Sequence, residues 1–240
     1  MRLLYTLLFL SALPFNVLAQ EMTAEKVLDR AIAYHDPNGN WGRLQEVLSI
    51  DMTYADGRVR TSKIAVNMPK NYFKLTATTE NTTIEQELTG DDCVLKINGS
   101  TEISEEAIKA NRLTCERANT LKNYYLYLYG LPMKLKDKGT QLDPLVRTKR
   151  FKGKEYKVLK VTYDSEVGDD TWYFYFDPTT FAMEVYQFYH EESKNDGEYI
   201  LLSDLETVGD IKMPKVRAWY YNKDDQHLGT DVLVKSTPLE

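Results

Sequence analysis

The stretch that decides the fold runs from residue 46 to residue 75 and reads EVLSIDMTYADGRVRTSKIAVNMPKNYFKL. Apolar and polar residues alternate in residues 46–54 and again in residues 58–67, as in half-buried β-strands. Ala55-Asp56-Gly57 has the residue types of a hairpin turn, and Met68-Pro69-Lys70-Asn71 turns the chain again. Because connections this short join antiparallel neighbours, the stretch predicts an antiparallel meander with one buried face.

Similar strand patterns continue along most of the chain. In the first half they predict three more strands, at residues 72–79, 82–88 and 94–97. In the second half six segments alternate in the same way, at residues 155–163, 171–176, 183–190, 199–204, 212–220 and 229–234. The sequence therefore predicts about eleven antiparallel strands in two meanders.

Helical periodicity introduces each meander. Apolar residues recur at helical spacing within residues 23–34, where Thr23 is a suitable N-cap, and Ser104 caps a second helical pattern. Residues 121–129 are apolar on every side, which favours a buried helix, with a tyrosine-rich strand as the alternative. Residues 131–150 are rich in Lys, Asp, Gly and Pro and predict a long irregular loop.

The two halves are not separated by a Gly/Ser-rich linker, so we expect residues 20–240 to form a single domain. Eleven antiparallel strands curl rather than stay flat, and their apolar inner face needs a cover. The sequence therefore predicts an α+β fold in which a curved antiparallel sheet forms an unclosed barrel covered by two or three helices.

Composition limits the functional classes. The 240 residues are 42% hydrophobic, which is enough apolar material for a core. Their formal net charge is −6. This balance is unlike that of disordered, collagenous or coiled-coil chains. Lys and Arg are not clustered, so we expect no nucleic-acid interface.

The first residues have the pattern of a secretory signal peptide. Arg2 precedes an apolar run over residues 3–10, and Val17-Leu18-Ala19 fits a cleavage site after Ala19. The apolar run is too short for a membrane span. We therefore expect residues 1–19 to be removed and the mature chain to be a soluble periplasmic or secreted protein that does not span a membrane.

Cys93 and Cys115 are the only two cysteines. In an oxidising compartment an isolated pair is expected to form a disulfide, and two buried thiols are the alternative. His35, His190 and His227 are scattered in the sequence, and the cysteines and histidines have no spacing typical of a zinc site. We expect no metal and no cofactor.

Two short motifs and the order of elements connect the chain with a known superfamily. Asn67-Met68-Pro69-Lys70-Asn71-Tyr72-Phe73-Lys74 is similar to a Pro-Gly-Arg-Phe segment that opens a strand, and Phe176-Asp177-Pro178-Thr179-Thr180-Phe181 is similar to an Asp-Pro-x-Thr-Gly turn. Both resemble the lipoprotein-carrier superfamily of LolA- and LolB-type carriers and the RseB sensor domain. That resemblance implies an unclosed barrel of eleven strands. Tyr72 and Phe73 stand where the carrier has an arginine, so its arginine switch is not assigned here.

A closer likeness is to an uncharacterised exported bacterial family of that fold. It is carried by Ala33-Tyr34-His35-Asp36-Pro37 with Trp41, and by Asn123-Tyr124-Tyr125 leading into Tyr129-Gly130-Leu131-Pro132-Met133-Lys134-Leu135. The likeness extends over essentially the whole mature chain and implies no known activity.

Catalytic combinations are weak in this sequence. His35 beside Asp36 could suggest a base and its orienting acid, but the chain has no nucleophile elbow, and a structural histidine at a helix end explains the pair more simply. The carboxylate pairs at 91–92, 169–170, 191–192 and 224–225 fall at strand ends or in turns, where solvated charges are expected. Lys134, Lys136 and Lys138 are also expected to be solvated, with an anionic head group as the alternative. We expect no catalytic residues and no enzyme.

Aromatic residues are the better functional candidates. They flank the loop after residue 130 and recur in residues 172–176 and 186–189, where they form either ordinary core or the wall of an acyl-sized cavity. We expect residues 123–135 to be a lid over the open side of the barrel that flexes at Gly130 and Pro132. The predicted ligand-binding residues are Trp41, Tyr124, Tyr125, Leu128, Tyr129, Leu131, Met133 and Trp172.

The leading hypothesis is an exported binding or carrier protein that holds a lipid, an acyl chain or a lipoprotein in a half-barrel cavity. The alternative is a non-enzymatic interaction or sensor module with a filled core and an envelope protein as its partner. Internal volume separates the two hypotheses.

Overall fold

The computed structural model describes residues 22–240, which form one antiparallel sheet of 13 strands with helices against it. The first group of strands is β1 (Gln45–Tyr54), β2 (Val59–Asn67), β3 (Tyr72–Thr79), β4 (Thr82–Thr89) and β5 (Asp92–Ile97). The second group is β6 (Thr140–Leu142), β7 (Arg147–Phe151), β8 (Lys154–Tyr163), β9 (Thr171–Phe176), β10 (Met183–Tyr189), β11 (Glu198–Val208), β12 (Ile211–Tyr221) and β13 (His227–Pro238). The helices are α1 (Ala24–His35), α2 (Glu105–Asn111) and α3 (Cys115–Gly130).

The two meanders join through the pairing of β1 with β13. The strand order is β5-β4-β3-β2-β1-β13-β12-β11-β10-β9-β8-β6. β6 and β7 pair with the same edge of β8, β6 at residues 161–163 and β7 at residues 154–158. Among residues 22–240, β5 and β6 are the opposite ends of this order, so the sheet is not closed into a barrel. The predicted α+β half-barrel is confirmed.

The strand count differs from the expected eleven because β6 and β7 lie in the segment that we expected to be an irregular loop. This segment also contains a short 3₁₀ helix, Met133–Lys136. β6 has three residues, and β7 reads Arg-Thr-Lys-Arg-Phe, so neither shows an apolar alternation. Both are strands because β8 offers an unpaired edge, which is a tertiary effect. The predicted signal peptide, residues 1–19, lies outside the described residues.

Helices α1 and α2 begin at the predicted caps, Thr23 and Ser104. The Oγ atoms of Thr23 and Ser104 accept hydrogen bonds from the backbone N–H groups of Lys26 and Ala107, and Thr114 caps α3 in the same way. A left-handed Arg112 (φ 49°) separates α2 from α3. Residues 121–129 lie within α3, so the helical prediction for this segment is confirmed.

The main core lies between the helices and the inner face of the sheet. α1 contributes a single stripe of small and branched aliphatic residues, and α3 contributes one alanine, two tyrosines and one leucine. The core residues of the two helices are Ala24, Val27, Leu28, Ala31, Ala118, Tyr125, Leu128 and Tyr129. They pack on inward-facing side chains from both meanders, so burial of this face holds the curved sheet in shape.

A second, smaller core covers the outer face near β9. The strand reads Thr-Trp-Tyr-Phe-Tyr-Phe, and alternation sends Phe174 and Phe176 inward and Tyr173 and Tyr175 outward. The outer tyrosines pack with Tyr156 and other residues of β7, β8 and β10. An uninterrupted aromatic strand is typical of a strand buried on both faces, which explains why this segment lacks polar positions.

The expected disulfide is present. Cys93 of β5 and Cys115 at the start of α3 are bonded, with a sequence separation of 22 residues. The bond ties the edge of the first meander to the N-terminal end of α3. At the C-terminal end of α3 the chain continues into the buried residues Leu131 and Met133.

Candidate functional site

A cleft opens at one side of α3, between this helix, the chain after the 3₁₀ helix Met133–Lys136 and the connection from β8 to β9. Its volume is about 740 Å³, within the usual range for small-molecule sites. It is lined by Thr120, Asn123, Tyr124, Leu126, Tyr127, Lys134, Asp137, Lys138, Thr140, Tyr163, Glu166, Val167, Gly168, Asp170 and Trp172.

Aromatic rings form the floor of the cleft. The ring of Tyr127 stands edge-on to those of Tyr163 and Trp172, with centroids 6.2 and 5.4 Å away, and Trp172 stacks on Phe188 at 4.8 Å. The hydroxyls of Tyr127 and Tyr163 share a hydrogen bond. Burial raises the pKa of Tyr163 to about 12 and that of Tyr127 well above its ordinary value. The floor is therefore uncharged at neutral pH and suits an apolar ligand.

Charged residues occupy the rim. Lys134 pairs with Asp137, and Asp170 accepts a hydrogen bond from Nδ1 of His190 at 2.6 Å. That contact raises the pKa of His190. Lys138 is exposed, and Lys136, the remaining member of the predicted lysine run, pairs with Asp29 on α1. The rim thus carries both signs of charge, and its groups face water.

A buried polar row crosses the inner face of the sheet beneath α3. Arg60 of β2 lies opposite Met52 of β1, which lies opposite Asp231 of β13, which in turn lies opposite Arg217 of β12. Arg217 is 1% exposed and its guanidinium lies 3.9 Å from the ring centre of Tyr129 on α3. Burial raises the pKa of Asp231. Two cations and one carboxylate therefore lie inside the half-barrel.

Side chains of the row are only partly hydrogen-bonded. Arg60 donates to the hydroxyls of Tyr54 at 3.0 Å and Tyr125 at 3.3 Å. Arg217 donates to the Pro214 carbonyl at 2.9 Å. Asp231 accepts from the indole N–H of Trp219 at 2.9 Å. The polar row therefore makes fixed contacts to the sheet and to α3, and it has hydrogen-bonding capacity left over.

The model of a family of unknown function, DUF6503, matches residues 4–236. The chain belongs to this family. Among curated proteins none matches the sequence.

Solved structures show the same architecture at low sequence identity. A LolA superfamily protein, NE2245 from Nitrosomonas europaea, is 11% identical with a TM-score of 0.54, over 91% of this chain and 94% of that one. A DUF1329 family protein from Desulfovibrio piger is 9% identical with a TM-score of 0.50, over 90% and 92% of the two chains. The fold is therefore that of the LolA superfamily, and the resemblance stated from the sequence is confirmed.

The two motifs taken as typical of the family meet in the structure. Asp36 is buried, and its carboxylate accepts hydrogen bonds from the backbone N–H groups of Asn40 at 2.7 Å and Trp41 at 2.9 Å. These bonds place the Trp41 ring directly against Gly130, where a Cβ would overlap the indole. Gly130 therefore permits close packing at the end of α3, whereas the sequence suggested a flexible point.

His35 is a structural residue, as expected, although its hydrogen bonds are not local. Its Nδ1–H donates to the Lys212 carbonyl at 2.6 Å, and its Nε2 accepts from the Met183 backbone N–H at 2.9 Å. Burial lowers the pKa of His35. The neutral ring thereby fastens the end of α1 to β12 and to the start of β10.

The predicted ligand-binding residues separate into two sets. Tyr124 and Trp172 line the cleft, and Tyr124 is 43% exposed. Trp41 packs partly buried against the core, and the remaining five lie inside it: Tyr125, Leu128, Tyr129, Leu131 and Met133. Tyr125 and Tyr129 face the polar row, since Arg60 and Arg217 contact them. A ligand contact for any of the eight stays a prediction.

Sequence reasoning missed the polar row. Arg217 lies on β12 an even number of residues from the buried Met213 and Trp219, so its side chain lies on the same inward face of the strand. A charged residue at an inward position of an alternating strand was the available signal. This signal predicts a polar row only when the strand register is known, because Arg60 and Asp231 become neighbours of Arg217 through strand pairing.

The remaining sequence candidates lie at the surface. Asp91, Asp169, Glu191 and Asp224 are exposed. Within residues 22–240, no three His, Cys, Asp or Glu side chains come close enough together to hold a metal ion. In the same part of the chain, none of the helices combines the length and apolarity of a membrane span.

Proposed function

We propose that the protein is an exported, non-enzymatic binding protein that carries an acyl-bearing ligand in the cleft beside α3. The observation that carries the proposal is the open cleft with an uncharged aromatic floor. Tyrosine and tryptophan rings bind an apolar chain along their faces, and their polar atoms face water or each other. The cleft volume of about 740 Å³ is large enough for a small ligand.

The LolA-superfamily fold supports this proposal because it places a large apolar inner face under helices. Most of that face is filled by side chains of α1, α3 and the strands. Space for a ligand is concentrated at the side of α3, between the helix and the β8–β9 connection. A lipid, a free acyl chain and the lipid moiety of a lipoprotein all have the apolar chain that this site would bind.

Export and a periplasmic or secreted location belong to the same proposal. They rest on the secretory pattern that ends at Ala19. The Cys93–Cys115 disulfide is in keeping with an oxidising compartment.

Uptake of a fluorescent fatty acid by the purified protein tests the function. Val167 lines the cleft and is 58% exposed, so Val167→Glu adds a charge to the cleft wall with little effect on folding. Leu145 is equally exposed and is not among the cleft-lining residues, so Leu145→Glu is the matched control.

We expect the wild type and Leu145→Glu to bind the probe with equal affinity, and Val167→Glu to bind it about tenfold more weakly. A wild type that takes up no probe would contradict the proposal and favour an interaction module with a filled core. Equal binding by all three proteins would place the ligand elsewhere.

A further inference from the structure

Buried polar atoms without a hydrogen-bond partner are concentrated beneath α3. Within residues 22–240, six buried side-chain atoms lack a partner. Five belong to the polar row or to residues beside it: Arg60 Nε, Ser62 Oγ, Tyr129 Oη, Tyr186 Oη and Arg217 Nε. The Tyr186 hydroxyl lies close to Arg217 and the Ser62 hydroxyl lies close to Tyr125, so the atoms without a well-formed hydrogen bond cluster around the two arginines. Buried polar groups are nearly always hydrogen-bonded, and this cluster therefore indicates a missing partner.

The chemistry of the orphaned atoms defines that partner. Both Nε atoms are donors only, and the three hydroxyls can donate as well. Burial raises the pKa of Tyr129 and of Tyr186, so both remain protonated donors at neutral pH. Within the row, two guanidinium groups lie beside the one carboxylate of Asp231, and Glu198 is the other carboxylate whose charge acts on the Tyr186 hydroxyl. The complementary group is an oxyanion, which accepts several hydrogen bonds and carries negative charge.

The polar row borders the cleft through two aromatic residues. Tyr124 lines the cleft, its ring contacts Tyr125 at 5.3 Å, and the charges of Asp231 and Arg60 act on its hydroxyl. Trp172 also lines the cleft, and its ring lies 6.2 Å from that of Tyr186. The side chains of Tyr124 and Trp172 therefore separate the cleft from the row.

We propose that Arg217 and Arg60 form a head-group site for an anionic amphiphile, with a carboxylate or phosphate at the row and the acyl chain in the cleft. This inference rests on the proposed function and names its ligand class. Arg is suited to the role because its planar fork matches such oxyanions and stays charged when buried. The rim is a weaker anchor, since Lys134 is already paired with Asp137 and Lys138 is in water.

Binding of three ligands with the same twelve-carbon chain to the full mature protein tests this site. The ligands are laurate, dodecyl phosphate and methyl laurate, measured by calorimetry at neutral pH below their aggregation limits. We expect laurate, dodecyl phosphate or both to bind about tenfold or more tightly than the uncharged ester. Whichever anion binds more tightly identifies the head group.

Two variants locate the head group. Tyr186→Phe removes only an unpaired hydroxyl and is expected to fold normally, and Arg60→Met removes the less buried of the two cations. Each should weaken anion binding severalfold and leave ester binding unchanged. Lys138→Met removes the exposed lysine of the cleft rim and should leave the preference for the anions over the ester unchanged.

Three results would overturn the inference. Equal affinity for ester and anions would leave the proposed function standing without a head-group site. A preference for anions that is lost in Lys138→Met and kept in Arg60→Met would place the head group at the rim. Binding of none of the three ligands would overturn both this inference and the proposed function.

Discussion

Helices α1 and α3 cover the same inner face of the sheet in different ways. α1 buries Ala24, Val27, Leu28 and Ala31 in one stripe, and both ring nitrogens of His35 are hydrogen-bonded at its end. α3 places tyrosines on a row of buried charges, and its side faces an open cleft. α1 covers a core filled by aliphatic side chains, and α3 covers polar side chains that are only partly hydrogen-bonded.

We therefore expect stability and ligand binding to depend on separate regions of the molecule. Aliphatic side chains in full contact contribute mainly to the free energy of folding. Tyrosines over partly satisfied arginines contribute less to stability than an apolar core of equal volume, because buried polar groups need partners. The predictions below test whether α1 and α3 can be separated in this way.

Leu28→Ala should have the largest effect on stability. Leu28 is 1% exposed in the α1 stripe, and truncation of such a residue costs about 2–5 kcal/mol. Urea denaturation measures the loss. The refolded variant should still bind the fatty-acid probe, because the cleft is not lined by α1. Loss of probe binding at temperatures where the variant is folded would show that the two regions are coupled.

Replacing both Cys93 and Cys115 by alanine should be the next largest change. The bond closes a loop with a separation of 22 residues, for which chain entropy gives about 3 kcal/mol. Thermal and urea denaturation of the double variant measure this loss. Thiol titration of the denatured, unreduced wild type should find no free thiol, and two reactive thiols would contradict the bonded state.

His35 should make stability depend on pH. Its pKa is lowered in the folded state, so the unfolded chain binds the proton more readily. Its contribution is fully present above the ordinary histidine pKa of about 6.5 and is lost as the pH falls below that value toward the folded pKa. The wild type should therefore lose stability as the pH falls below about 6.5, and His35→Ala should lack that part of the slope.

His190 is the control for this slope. Its pKa is raised by Asp170, so its contribution is present below about pH 6.5 and lost as the pH rises through the folded pKa. The side chain is mostly exposed, so the effect of His190→Ala should be small and opposite in sign. A wild-type slope that survives in His35→Ala would contradict the role given to His35.

Tyr124→Ala should have the smallest effect on stability, about 0.5–1 kcal/mol or less, because the residue is 43% exposed. It lines the cleft and borders the polar row, so ligand affinity should change more than the melting temperature does. Calorimetry and thermal denaturation on the same sample separate the two effects. A large loss of stability with unchanged affinity would make Tyr124 a core residue.

The fold was largely predictable because local patterns decide it. Alternation and turn residues predicted the long strands, and Thr23 and Ser104 predicted helix starts. β6 and β7 could not be predicted, since their strand conformation depends on the free edge of β8. The same limit applies to the candidate site. Tyr124 and Trp172 were predicted because aromatic residues cluster around them in the sequence. Arg60, Asp231 and Arg217 come together only through strand register.

A methyl NMR titration of the mature protein with laurate tests the central claim most directly. Leu126 and Val167 report on the cleft, and Val27 and Leu28 report on the core beneath α1. We expect saturable shifts of the Leu126 and Val167 methyl signals, with those of Val27 and Leu28 unchanged. Shifts at Val27 and Leu28, or no shift at any of the four, would contradict it.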